Sequence, residues 1–87
     1  MELIRGIVVQ SAAGRDKGGF FVVLQAQDGY ALLCDGKHRP LQRPKKKKEK
    51  HLRPTKVRLP EASMQTNREI RRALHGYQAQ QAAQCSA

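Results

Sequence analysis

A chain of 87 residues holds one small domain and little more, because at this length only roughly 60% of the unfolded surface is buried on folding. With 39% apolar residues and no tryptophan, a thin core with polar extensions is expected. Seventeen Lys and Arg against seven Asp and Glu give a net charge of +10 and a pI near 10.3, the electrostatic footprint of a polyanion binder rather than of a merely solubilised surface. No apolar run approaches the roughly 18 residues a membrane span needs. The start, Met1-Glu2-Leu3-Ile4-Arg5, lacks the pattern of a secretory leader, so an intracellular, cytoplasmic protein is expected. Cys34 and Cys85 stand far apart without CxxC or Cys/His spacing. Both read as reduced thiols, Cys34 buried and Cys85 incidental.

The first strand is expected at Ile7-Val8-Val9, β-branched and following Gly6. Small residues lead from it into a charged turn, Gly14-Arg15-Asp16-Lys17-Gly18-Gly19, and then into a second strand, Phe20-Phe21-Val22-Val23-Leu24. Asp28-Gly29 is a two-residue hairpin signal before Tyr30-Ala31-Leu32-Leu33-Cys34, and Asp35-Gly36 starts a third reversal. Short strands with closely spaced turns point to a mainly β fold, a small sheet or barrel. Between Lys37 and Arg58 the chain carries eleven basic residues and a single acid, Glu49. Pro40, Pro44 and four successive lysines predict an extended, mobile basic loop over 37–50. His51-Leu52-Arg53 is expected to close the sheet before Pro54, with Val57 and Leu59 packing as an apolar edge. Thr66-Asn67-Arg68-Glu69 has the form of a capping box. It predicts a helix near 67–75 that docks through Ile70 and Leu74, carries a cationic stripe of Arg68, Arg71, Arg72 and His75, and ends at Gly76. The domain boundaries that follow are a barrel over 1–59 including the basic loop, a helical extension over 60–77 and a polar tail over 78–87. That tail either extends the helix or is disordered.

The first two strands and their turn resemble the KOW motif, in which a central glycine is followed by a basic residue, another glycine and an apolar strand. Val9, Gly14, Lys17, Gly18 and Val23 occupy these places within GIVVQSAAGRDKGGFFVVL. Residues 3–54 look like the short bacterial KOW-domain proteins related to a KOW-bearing ribosomal protein of the archaeal and eukaryotic large subunit. The AGRDKG turn, the FVVL strand, the CDGKHR segment, the lysine run and HLRPT carry this likeness. Phe21 stands where many KOW motifs have a second glycine. The resemblance implies an SH3-like barrel and binding to structured RNA, most often ribosomal.

Candidate RNA-binding residues are Arg15 and Lys17 in the glycine-rich turn, and Lys37, Arg39, Arg43, Lys45, Lys46, Lys47, Lys48, Lys50 and Arg53 in the basic segment. Cations of this kind neutralise phosphates and position a domain without reading bases. Phe20 and Phe21 are expected in the core and Tyr30, beside its turn, on the surface. Asp16, Asp28 and Asp35 read as turn residues. His38, His51 and His75 lack metal spacing, and Ser11, Ser63 and Ser86 lack a nucleophile's setting. No enzyme, cofactor, metal or small-molecule substrate is therefore expected. The expected partner is RNA, with a further protein contact open to the 67–77 helix. A protein-interaction adaptor and a sequence-independent DNA binder are the rival readings.

Overall fold

The computed structural model describes residues 3–85, with side chains through residue 79. Five antiparallel strands form one sheet: β1 (Ile7–Ser11), β2 (Phe20–Gln27), β3 (Tyr30–Cys34), β4 (Lys45–Lys48) and β5 (Leu52–Arg58), in the order β4-β3-β2-β1-β5. A 3-10 turn, Glu49–His51, joins β4 to β5, and a second, Glu61–Met64, leads into helix α1 (Asn67–Cys85). The chain is thus mainly β with a C-terminal helix.

The near-continuous apolar runs of β1 and β2 have a physical reason: both strands are buried on both faces. Val9, Phe21, Val23, Ala31 and Leu33 point to one face and pack with Leu3 and Leu52. Their neighbours Val8, Val22 and Cys34 point to the other and pack with Met64, Ile70 and Leu74. Ile70 and Leu74 dock as their spacing predicts, each burial being worth about 1.5–3 kcal/mol. The capping half of the expected box forms: Thr66 Oγ1 accepts from the Glu69 N–H at 3.1 Å, while its hydroxyl donates to Glu69 Oε1 at 3.0 Å. Asp28 and Gly29 both adopt positive φ (54° and 80°) and pair Gln27 with Tyr30, the type I′ hairpin that Asp-Gly predicts.

Three expectations need correction. The basic segment is not a mobile loop throughout: Lys45–Lys48 form β4, paired with Tyr30–Leu33, and Lys50 lies in the 3-10 turn that follows. Pro44 precedes the strand, and the pleat sends successive lysines to opposite faces, so four cations avoid the crowding that a contiguous run suggests. Nor does Pro54 end the closing strand. β5 is an edge strand, where a missing N–H donor is tolerated. Thr55 Oγ1 donates to Val8 O at 2.7 Å and accepts from Val57 N–H at 3.1 Å, bridging the register irregularity there. Finally, Gly76 does not terminate α1. Tyr77 packs edge-on against Phe20, centroids 5.2 Å apart at 67°, and holds the helix beyond the glycine. The helix then takes up the segment 78–85 of the expected tail, while residues 86–87, and Met1 and Glu2, lie outside the described part. The reading of Cys85 as an incidental thiol concerns a side chain that is likewise outside it.

Candidate nucleic-acid interface

The β1–β2 connection, residues 12–19, is closed on itself. Ser11 N–H donates to Gly19 O at 2.9 Å, Gly18 N–H to Ser11 O at 2.8 Å, and Lys17 N–H to Gly14 O at 3.2 Å. Gly14 and Gly18 take positive φ within it (77° and 88°). Arg15 and Lys17 stand exposed on this loop. Val9 and Val23, the flanking motif positions, are fully buried in one cluster, so the loop is carried by the core.

Three neighbours hold the loop from outside. Lys47 Nζ donates to Ser11 Oγ at 2.6 Å and to Ala13 O at 2.5 Å. Ala12 N–H donates to His51 O at 2.8 Å, bringing in the 3-10 turn. Arg39 Nη2 lies 3.5 Å from Asp16 Oδ2, bringing in the connection between β3 and β4. Its Nε is buried without a hydrogen-bond partner among the described residues. That connection is itself built on Asp35, whose Oδ1 accepts from the Lys37 N–H at 2.9 Å and the Arg39 N–H at 2.8 Å. Gly36 is buried against the first turn of α1, where an added Cβ would stand 2.2 Å from Asn67 O.

The electrostatic consequence follows from what the acids are doing. Asp16 faces Arg39, and Asp35 is tied to its own turn by two backbone N–H groups, so neither forms an ion pair with the exposed cations of the region. Arg15, Lys17, Lys37, Arg43, Lys46, Lys48, Lys50 and Arg53 are all exposed, and among the described residues none joins an ion pair. Arg53 lies opposite Gln10 across the β1–β5 ladder, and Lys46 and Lys48 flank Tyr30 on β4. Of the candidate residues, Lys47 and Arg39 instead tie elements together, and Lys45 is half-buried. A groove of ≈ 340 Å³, lined by Lys37, Arg71 and His75 among others, carries the cationic surface from this loop region to α1, where Arg68, Arg71, Arg72 and His75 are exposed as their spacing predicts. The aromatic expectations hold: Phe21 is buried, Phe20 packs on the helix side and Tyr30 is exposed.

Spacing along the chain could not separate Lys47 from its neighbours. The signal for it lies in strand alternation, which becomes readable only once β4 is recognised as a strand. The same holds for Gln25 and Gln27, which reach the open sheet face beside Tyr30 through a bulge in β2.

Elsewhere the chemistry is sparse. Glu61 is held below the usual carboxylate range by the hydrogen-bonded Arg5 guanidinium, 2.5 Å away on an exposed surface. Burial pushes the Cys34 thiol above its ordinary value. Among the described residues no group of three or more His, Cys, Asp or Glu side chains comes together to hold a metal, and no helix is long and apolar enough to cross a membrane. No protein-family model and no curated protein matches this chain.

Proposed function

We propose that the chain is a non-catalytic RNA-binding module of the KOW type, an SH3-like barrel that engages structured ribosomal RNA in ribosome assembly or translation in the cytoplasm. The observation that carries the reading is the set of exposed cations, outside any ion pair among the described residues, on and beside a closed glycine-bearing loop. Such a surface neutralises phosphates and releases counterions, and a loop tied down at three points meets a folded RNA with little backbone ordering cost. The strand order β4-β3-β2-β1-β5, with a 3-10 turn before the last strand, is compatible with an SH3-like barrel. The placement of the motif residues supports the reading: Val9 and Val23 share one core, while Gly14, Lys17 and Gly18 belong to the loop.

The test is a salt titration of the chain with structured ribosomal RNA and with an unstructured strand. Arg15→Gln with Lys17→Gln is expected to weaken the structured RNA more, since the loop is held in one geometry. Unchanged affinity for both, with the fold intact, would remove the loop from the interface. Loss of a protein partner without loss of RNA affinity would favour an adaptor instead.

A further inference from the structure

Helix α1 covers only part of its face of the sheet. Val8, Val22 and Cys34 lie beneath Met64, Ile70 and Leu74. The remainder of that face belongs to Gln25, Gln27, Tyr30, Leu32, Lys46 and Lys48, as the register requires: Val22 faces Cys34, Gln25 faces Leu32, Gln27 faces Tyr30, and Lys46 and Lys48 face Leu32 and Tyr30. A bulge between Val23 and Gln25 decides this arrangement. Were the ladder regular through Leu24, strict alternation from Val23 would turn both glutamines inward and Ala26 outward. With it, Ala26 packs on the inner cluster and the glutamines join Tyr30 outside.

The open face is therefore an exposed aromatic ring flanked by amides and ammonium groups. Tyr30 keeps 36% of its surface exposed although the domain has only four aromatic side chains to fill its cores. Lys46 Nζ stands 4.7 Å from the ring centroid, so ring and cation share one spot. Gln25 Nε2 donates to Gln27 Oε1 at 3.2 Å, which leaves Gln25 Oε1 as an acceptor and Gln27 Nε2 as a donor. A depression of ≈ 380 Å³ runs along these residues with Asp28 at the hairpin, and a second hollow of ≈ 400 Å³ adjoins Tyr30 beside Lys48, Glu49 and Lys50. We infer that this face is a subsite for an unpaired nucleotide of RNA: the base stacks on Tyr30, the Gln25–Gln27 amides meet its edge, and Lys46 meets the adjoining phosphate. The inference rests on the RNA-binding reading and adds to it a base-contacting surface, separate from the β1–β2 loop, that selects single-stranded segments.

Three probes test it: a single-stranded oligoribonucleotide of about 10 nucleotides, within the site size such surfaces take, the same strand paired with its complement, and inorganic polyphosphate. Tyr30→Ala is expected to weaken the single strand by roughly 5- to 100-fold. Duplex and polyphosphate binding should stay as in wild type, as should the salt dependence, because a stacked ring releases no counterion. Tyr30→Phe should bind like wild type. Tyr30→Leu, which keeps apolar bulk at the hairpin, should lose as much as alanine. Equal single-strand affinity in wild type and Tyr30→Ala overturns the subsite while leaving RNA binding in place, and so does an equal loss for polyphosphate. A wild-type chain that binds neither RNA form at low salt overturns the RNA-binding reading itself.

Discussion

The lysines of β4 and the turn after it divide into two structural kinds, and the proposed function gives them roles that a binding experiment can separate. Lys46, Lys48 and Lys50 are exposed and outside any ion pair among the described residues, whereas Lys47 is committed to Ser11 and Ala13. Each phosphate contact contributes about 0.9 to the log–log salt slope on a double helix and about 0.7 on a single strand. Replacing Lys46, Lys48 and Lys50 together with glutamine should therefore flatten the slope by about 2.7 and about 2.1 respectively, if each makes one contact. Between about 50 and about 200 mM salt, the affinity of wild type for a helical RNA should then fall roughly 40-fold further than that of the triple variant. Stability should change little, since the main interaction lost is the exposed Lys46–Tyr30 contact, worth about 0.5–1 kcal/mol. Lys47→Gln should do the reverse. It changes the slope by less than one contact's share and lowers stability by about 1–3 kcal/mol, because the hydrogen bonds of a charged donor to Ser11 Oγ and Ala13 O are lost, although the Ser11 hydroxyl keeps its own bond to Ala13 O. Fluorescence-anisotropy titrations at several salt concentrations, paired with urea unfolding of each variant, provide both readouts. A triple variant with the wild-type slope, or a Lys47 variant that matches its per-residue loss without destabilisation, would refute the division.

Three further outcomes concern the scaffold. Gly76→Ala should stabilise the chain by about 0.5–1 kcal/mol in urea unfolding, since the position is helical, its φ is not positive and an added Cβ meets nothing within 4 Å. Gly36→Ala should act in the opposite sense, costing several times that amount or preventing folding, because φ is +76° and the new Cβ would stand 2.2 Å from Asn67 O. Glu61 is held below its ordinary range by Arg5, so its contribution is present above the unfolded carboxylate value and is lost as pH falls through the lower folded value. The urea midpoint of wild type should thus decline in that acid window more than that of Glu61→Gln, by a small margin since the pair is exposed.

The parts of the fold that were legible in the sequence are those whose cause is local. Asp28-Gly29 specifies its own turn, the capping box its own helix start, and Phe20–Leu24 its own strand, because the relevant forces act within a few residues. Illegible elements take their structure from a partner. Four lysines in a row have no intrinsic reason to be extended in register, and they become β4 because β3 offers an unpaired edge. Gly76 reads as a stop signal until Tyr77 finds Phe20. The site divides in the same way. Exposed cations were readable from composition, but the ties made by Lys47 and Arg39 depend on residues 36 and 23 positions away in sequence.

A lysine-rich edge strand has an ordinary structural use, since charge on an unpaired edge discourages other strands from adding to it. That use accounts for lysines at β4, the sheet edge, but it is indifferent to where their side chains go. Here the two directions are used differently. One face of β4 sends Lys47 inward to fasten the β1–β2 loop, so the edge strand also fixes the loop that bears Arg15 and Lys17. The other face sets Lys46 and Lys48 beside Tyr30, on the part of the sheet that the helix leaves open. Edge protection needs neither the loop tie nor the aromatic neighbour, whereas a surface that grips phosphates and receives a base uses both. The bulge at Leu24 strengthens the distinction, because its effect is to bring two amides to that same face at the expense of a regular ladder.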